Sequence, residues 1–171
     1  MPKTEPPTSA PRPSPSPVDL EQTTLVLRRF RVVFNAVRSH FQQVESQAGL
    51  GGAQIWALSV VRDRPGIGVS GLAAAMDIHQ STASNLVRAM LKRELIQAVK
   101  GLTDRRSIEL SILPAGLEVL GRVSGPFEGV LPTALAQLPP ETLNRLEQDL
   151  RALIAVLHAD EGAEQTPLAH L

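Results

Sequence analysis

The sequence contains no cysteine among its 171 residues. Without a thiol, the chain cannot form a disulfide, bind zinc through thiolates, use a thiol nucleophile or sense oxidants through cysteine. It also has no tyrosine, one tryptophan and only 3% aromatic residues, although 43% of its residues are hydrophobic. Because much of this apolar content is Leu, Val and Ala, we expect a mainly helical protein with a buried core.

Signals for a membrane span, a metal site and a catalytic site are also missing. No apolar run approaches the roughly 18 residues of a spanning helix, and the first residues lack the charged-then-apolar layout of a secretory signal. The four histidines have no metal-ligand spacing, and neither a GxSxG serine nor a distinctive carboxylate pair occurs. We therefore expect a cytoplasmic protein without catalytic residues, metal or cofactor.

The net charge is zero, but the charges are distributed unevenly along the chain. Residues 62–106 hold eight Lys and Arg against four acids, whereas residues 107–171 hold three Arg against nine acids. A basic centre indicates a surface that contacts nucleic acid, with chance patchiness as the alternative.

Residues 1–17 hold seven of the fourteen prolines, which predicts a disordered tail.

Long helical patterns lie near both ends of the chain. Residues 18–50 then form a first helix, with Asp19 as its N-cap, and Pro139-Pro140-Glu141 begins the last one. Both apolar stripes recur at spacings of three and four, which indicates helices that pair in a homodimer or, alternatively, pack on each other in a monomer. The two stripes are Leu27, Phe30, Phe34, Val37, Phe41 and Val44, and Leu143, Leu146, Leu150, Leu153 and Leu157.

A helix-turn-helix is predicted within residues 51–113. A first helix covers residues 54–63, and Ser70 caps a short second helix. Asp77 lies at the turn, because Asp tolerates left-handed backbone, and a third helix runs from near His79 to about Glu94. The apolar residues predicted to face inward are Ile55, Leu58, Val61, Leu72, Ala73, Met76, Ala83, Leu86, Val87, Met90 and Leu91.

The third of these helices has an unusual outer surface. Its polar residues carry short hydroxyls, amides and one guanidinium, which are groups that hydrogen-bond base edges and phosphates. An ordinary exposed helix face, the alternative, would hold more Glu and Lys. The predicted DNA contacts of this helix are His79, Gln80, Ser81, Thr82, Ser84, Asn85 and Arg88.

The pattern then changes to alternation in residues 95–100 and 107–112, which is typical of half-buried strands. A β-hairpin directly after a helix-turn-helix is a wing. Arginines on such a loop can enter the minor groove of DNA, although a solvated charged turn is the alternative. The predicted wing contacts are Lys100, Asp104, Arg105 and Arg106.

Residues 114–159 return to helical spacing. Pro114 opens this region, which the Gly125-Pro126 pair and Pro132 should kink or interrupt. We expect these residues to form the C-terminal dimerisation helices and residues 160–171 to form a flexible tail.

Residues 66–71 match the GxGxxG dinucleotide fingerprint. That motif works only after a strand, so that its turn presents a helix N-terminus to a pyrophosphate. An amphipathic helix is predicted before it instead, so a nucleotide-dependent enzyme is kept only as a third interpretation.

Taken in order along the chain, these motifs resemble the MarR family of winged helix-turn-helix bacterial transcription regulators over about residues 20–158. The resemblance implies a six-helix homodimer whose recognition helices enter successive major grooves of a pseudo-palindromic operator. It also implies a repressor that releases DNA when a small, often aromatic effector enters a cleft beside the dimer helices. The segments that carry the resemblance are Val69-Ser70-Gly71-Leu72-Ala73, Gln80-Ser81-Thr82-Ala83-Ser84-Asn85-Leu86-Val87, Lys92-Arg93-Glu94-Leu95-Ile96, Thr103-Asp104-Arg105-Arg106-Ser107 and Pro114-Ala115-Gly116.

Three positions depart from the family pattern: Asp77 replaces Gly, His79 replaces Ser at the recognition-helix cap, and Leu113 replaces Thr before the Pro-x-Gly motif. The candidate residues for an effector cleft are Phe30, Phe34, Phe41 and Trp56, which core packing explains equally well. The main interpretation is thus a homodimeric DNA-binding repressor. A second interpretation is a winged-helix module that binds RNA or a protein partner.

Overall fold

The structure is a computed structural model that describes residues 17–100, 108–159 and 161–170. The helices are α1 (Pro17–Ala48), α2 (Gly52–Asp63), α3 (Val69–Met76), α4 (Gln80–Lys92), α5 (Pro114–Gly121), α6 (Val130–Ala136) and α7 (Pro140–Leu157). Strands β1 (Ile96–Lys100) and β2 (Ile108–Ile112) lie between α4 and α5, and 3₁₀ turns cover Glu161–Gln165 and Leu168–His170. The predicted fold class, mainly helical with a β-hairpin wing, is confirmed.

The contacts of the chain divide it into residues 1–34 and residues 35–171. Helix α1 begins at Pro17, so Asp19, the predicted N-cap, lies inside the first turn instead. In the first unit, the rings of Phe30 and Phe34 stack with their centroids 6.2 Å apart. The large apolar residues of α1 that are exposed are Leu20, Leu25, Val26, Leu27, Val32, Val33 and Phe34.

The core of the second unit is built around α2. Ile55, Leu58 and Val61 of this helix are fully buried, as the sequence predicted. Helix α2 contacts α3, α4, α5 and β2, so it supports both helices of the predicted helix-turn-helix and the second strand of the wing. The inward residues predicted for α3 and α4 are also buried, except for Leu91.

Leu91 is 36% exposed, so the prediction for this residue was wrong. At 100° per residue, its side chain lies roughly 90° around α4 from the centre of the buried face. The apolar stripe of α4 is therefore narrower than its sequence suggested.

The wing is a two-stranded antiparallel hairpin that pairs Ile96 with Ile112 and Lys100 with Ile108. Only Ile96 and Leu110 are buried in its strands, whereas Val99 and Ile108 are 46% and 51% exposed. The prediction of half-buried strands was therefore wrong for β1 beyond Ile96 and is confirmed for β2, in which only Ile108 is exposed.

The region after the wing differs from its prediction in connectivity. Helix α5 begins at Pro114 although Leu113 supplies no side-chain cap, and it already ends at Gly121. Helix α6 begins at Val130 and holds Pro132 in its first turn, where proline is tolerated. The helical region is therefore interrupted, one of the two outcomes that the sequence predicted, and the described residues form seven α-helices rather than the six that the resemblance implies.

Residues 161–170 differ from the flexible tail that the sequence suggested. Pro167 is buried, and Ala169 packs against the core beside Gly52 at the start of α2. These contacts join the C-terminal turns to the core of the second unit. Among the residues that the structure describes, no helix combines the length and apolar character needed to cross a membrane.

Candidate nucleic-acid interface

The corner between α3 and α4 is a Schellman motif. The amide of Asp77 donates to the Ala74 carbonyl at 3.3 Å, and the amide of Ile78 donates to the Ala73 carbonyl at 3.0 Å. Asp77 itself has left-handed backbone, with φ 51° and ψ 49°. The sequence prediction for Asp77 is confirmed, and Ile78 is buried beneath the corner.

A side-chain hydrogen bond joins the beginnings of the two helices. Helix α3 begins at Val69 after Gly68, so Ser70 lies inside its first turn and does not cap it. The Ser70 hydroxyl instead accepts a hydrogen bond from Nε2 of Gln80 at 3.2 Å. The predicted cap was wrong, but the same hydroxyl helps to position the start of α4.

Helix α4 presents the predicted polar face to solvent. Gln80, Ser81, Asn85 and Arg88 are exposed, and Thr82 and Ser84 are half-buried. The opposite face is held in the core through Ala83, Leu86, Val87 and Met90. Because the core fixes the rotation of α4 about its axis, the position of each outer side chain on the surface is also fixed.

Two hydrogen bonds order side chains on this face. The Ser84 hydroxyl donates to the Gln80 carbonyl at 2.8 Å, so its proton is used within the helix. Nη1 of Arg88 donates to Oδ1 of Asn85 at 3.0 Å. His79 precedes α4 with extended backbone, and its side chain does not cap the helix.

The basic residues near α4 differ in their surroundings. Arg62 forms an ion pair with Asp63 at 2.7 Å and lies over the ring of Phe127. Hydrogen bonds from Arg62 lower the pKa of Asp63, and the same pair raises the pKa of Arg62. Helix α4 carries Arg88 and Lys92 without any acidic residue in its sequence. The outer face of α4 is therefore positive, whereas the charges of Arg62 and Asp63 at the end of α2 offset each other.

The wing continues from α4 through Glu94, which also has left-handed backbone. Lys100 lies exposed at the end of β1. The other predicted wing contacts, Asp104, Arg105 and Arg106, lie outside the described residues and stay predictions.

The GxGxxG segment has a structural role at the base of the wing. The amide of Gly66 donates to the Leu110 carbonyl at 2.9 Å, and the amide of Leu110 donates to the Ile67 carbonyl at 3.0 Å. The segment thus pairs with β2, and it follows helix α2 rather than a strand. The strand-turn-helix that a dinucleotide site requires does not form here.

A cavity of about 200 Å³ lies beside the corner of the helix-turn-helix. Phe41 and Trp56, two of the four predicted cleft residues, line it together. Phe30 and Phe34 belong to the first unit, where they stack on each other. The remaining lining residues are Val37, Met76, Asp77, Ile78, Glu128, Gly129, Val130, Leu131, Pro132, Glu164, Thr166, Pro167 and Leu168.

No pattern in the sequence indicated the α6 and C-terminal parts of this lining, because they reach the cavity only through tertiary packing. Within residues 17–100, 108–159 and 161–170, no group of three His, Asp or Glu side chains could hold a metal ion.

Comparison with known proteins gives two sequence matches. Residues 53–108 match the model of the MarR family. This range runs from the second residue of α2 to the first residue of β2. A putative transcriptional regulatory protein for the hcr operon of Thauera aromatica is 30% identical over 97 residues. The match covers 57% of this chain and 57% of that relative, so the chain spans just over half of the relative's length.

Solved structures share the fold. The S. aureus MepR–DNA complex aligns with a TM-score of 0.53 and 18% identity, covering 79% of this chain and 97% of that one. A MepR-like protein complexed with pseudoligands aligns at 0.51 and 12% identity, over 83% and 97% of the two chains. The YusO protein from Bacillus subtilis aligns at 0.50 and 18% identity, over 82% and 97%.

Proposed function

We propose that the chain is a MarR-family transcription regulator that binds duplex DNA and is not an enzyme, since its residues 53–108 match the model of that family. The observation that carries the proposal is the surface of α4. Its inner face is held in the core, and its outer face offers amides, hydroxyls and Arg88 without an acidic residue. Such a helix suits the major groove, where these groups contact base edges and phosphates.

The proposed contacts are divided between the helix and the wing. Ser81, Asn85 and Arg88 lie along one exposed side of α4, which faces the bases in the proposed complex, while residues at its start contact phosphate. The wing adds Lys100 and, from residues outside the described part, Asp104, Arg105 and Arg106. We propose that arginine at the wing tip enters the minor groove, so Arg105→Ala should weaken binding mainly to sites with A·T-rich flanks.

We further propose that the regulator acts as a homodimer on a pseudo-palindromic operator. The support is the exposed apolar surface of α7 and of the first part of α1, which a second copy of the chain would cover. Two-fold symmetry would then place two copies of α4 on half-sites separated by about one helical turn, roughly 10 base pairs, or a multiple of it.

A small molecule in the cavity is the proposed signal that relieves repression. The cavity is lined by Met76, Asp77 and Ile78, which form the corner that sets the direction of α4. Phe41 and Trp56 offer apolar aromatic surface to a ligand of about one ring, since a cavity of roughly 150 Å³ is known to hold benzene. A ligand that shifts this corner would move α4 relative to its partner copy.

A gel-shift titration against the DNA upstream of the protein's own gene tests the proposal. We expect a discrete complex that resists competitor DNA and weakens steeply between two salt concentrations, because phosphate contacts release counterions. The test variant is Arg88→Ala, which should weaken the specific complex relative to the wild-type protein. Absence of a complex with that DNA and with random duplexes would overturn the proposal and favour a protein or RNA partner.

A further inference from the structure

The hydrogen bond between Arg88 and Asn85 carries an inference about which base α4 recognises, and this inference rests on the proposed function. Nη1 of Arg88 lies 3.0 Å from Oδ1 of Asn85, and both side chains are exposed on the outer face of α4. Arginine has only hydrogen-bond donors, so the atom of Asn85 that it meets must be the carbonyl oxygen. The orientation of the Asn85 amide therefore follows from chemistry.

This contact changes what Asn85 can recognise. An asparagine reads adenine by accepting from N6 with its oxygen and donating to N7 with its amide nitrogen. In this structure, the oxygen already accepts from Arg88. The bidentate contact to adenine would require Asn85 to give up or share that hydrogen bond.

Arg88 keeps the groups that guanine requires. The guanidinium has five N–H donors in a planar fork, and only one of them is used by Asn85. The remaining donors can still contact O6 and N7 of guanine as a pair. The anchored side chain also loses less rotamer freedom on binding than a freely moving arginine.

We propose that Asn85 and Arg88 act as one unit that selects guanine in each operator half-site. Arg88 contacts O6 and N7 of the base, and Asn85 is a positioning residue that holds the guanidinium in place. Together the two side chains present donors to the major groove, which matches the two acceptors of guanine and not the donor of adenine or cytosine.

The test is a selection of randomised duplexes by the full chain, followed by affinity titrations in which the selected guanine is replaced by adenine. For the wild-type protein, we expect this replacement to weaken binding roughly 10- to 100-fold. Arg88→Ala should bind guanine and adenine sites equally. Asn85→Ala should still prefer guanine, but by a smaller factor, because Arg88 is no longer anchored.

Two further variants separate the positioning role of Asn85 from the general effect of charge on DNA affinity. Asn85→Asp still accepts from Arg88, so it should keep the wild-type preference for guanine while its added charge lowers affinity for all duplexes. Lys92→Ala is the matched control, since it removes a charge from the same helix. It should weaken all sequences alike and reduce the salt slope by about one, without changing base preference.

Other outcomes would overturn the inference. They are an adenine preference that Asn85→Ala removes, or a guanine preference that survives in Arg88→Ala. If the wild-type chain selects no duplex at all, the proposed function itself fails, and this result is distinct from DNA binding without a preference for guanine.

Discussion

Helices α4 and α7 are both amphipathic, but only α4 has its apolar face buried. The apolar face of α4 is buried through Ala83, Leu86, Val87 and Met90. Helix α7 has no buried residue along its eighteen positions, and the side chains of Leu143 and Leu157 are 40% and 63% exposed. The lobe formed by α2 to α5 with the wing, called here the winged-helix lobe, therefore has its core within one chain, whereas α7 leaves its apolar side chains exposed.

The difference separates two uses of the same sequence pattern. Apolar residues at helical spacing predict an apolar face for each helix, and the structure buries that face in α4 but leaves it exposed in α7. The pattern does not say whether the covering surface comes from the same chain. Core packing fixes the orientation of α4 within its own chain, and the proposed homodimer would give α7 its partner.

The largest expected effect is a charge in the apolar stripe of α7. Leu150→Asp would bury a carboxylate twice in a two-fold interface, so we expect the dimer dissociation constant to rise roughly 1,000-fold. The matched control is Gln148→Asp on the opposite side of α7, which should leave the dimer intact. Sedimentation velocity measures both, and an unchanged dimer in Leu150→Asp would show that α7 does not pair.

Within the winged-helix lobe, a methyl group at Gly116 should be the small change that lowers stability most. A β-carbon there would overlap the Leu95 carbonyl oxygen and lie 2.8 Å from Cγ1 of Ile112. We expect Gly116→Ala to lower the free energy of unfolding by about 2–3 kcal/mol. Gly121→Ala in the same helix meets nothing within 4 Å and should be neutral or stabilising. Equal denaturant curves for the two variants would contradict the close packing of α5 against Leu95 and the end of β2.

The C-terminal turns offer a smaller effect. Ala169 packs against the core beside Gly52, whereas Ala163 in the same segment is exposed. We expect Ala169→Asp to lower stability by about 1 kcal/mol, or roughly 2–4 °C in Tm, because the segment must leave the core to hydrate the charge. Ala163→Asp should change little. A Tm difference of zero between the two would mean that these turns do not dock on α2.

Replacing Glu94 with glycine should give the smallest change, which is a gain in stability. Glu94 follows the C-cap of α4 with φ 54°. This backbone conformation is costly for residues other than Gly, Asn or Asp. Its amide and that of Leu95 close a second Schellman motif on Leu91 and Met90. We expect Glu94→Gly to stabilise the protein by about 0.5 kcal/mol. Thermal unfolding tests this, and a lower Tm would contradict the strained backbone.

Local patterns in the sequence were enough to predict the elements that form the winged-helix lobe. The apolar spacing of α2, α3 and α4, the alternation in β1 and β2, and the left-handed corner at Asp77 are all set by neighbouring residues. The Arg88–Asn85 hydrogen bond joins residues three apart on a helix, a spacing at which side chains meet. The candidate site was therefore accessible from sequence to a large extent.

The features that were missed depend on residues far apart in the chain. The pairing of Ile67 with Leu110 gives the GxGxxG glycines a structural role that no local pattern indicates. The docking of Ala169 near Gly52 similarly brings a polar C-terminal segment onto α2. The Ser70 hydroxyl bonds to Gln80, ten residues away, rather than to its own helix.

The absence of cysteine allows the central claim, that α4 lies in the major groove, to be measured directly. A single Ser81→Cys substitution can carry an iron–EDTA cleavage reagent at the exposed start of α4, and Ser124→Cys, exposed after α5, provides the matched control. With operator DNA saturated, we predict that Ser81→Cys cuts in two clusters separated by about 10 base pairs or a multiple of it. The Ser124→Cys conjugate should not produce this pattern. Equal or scattered cutting by the two conjugates would contradict the account.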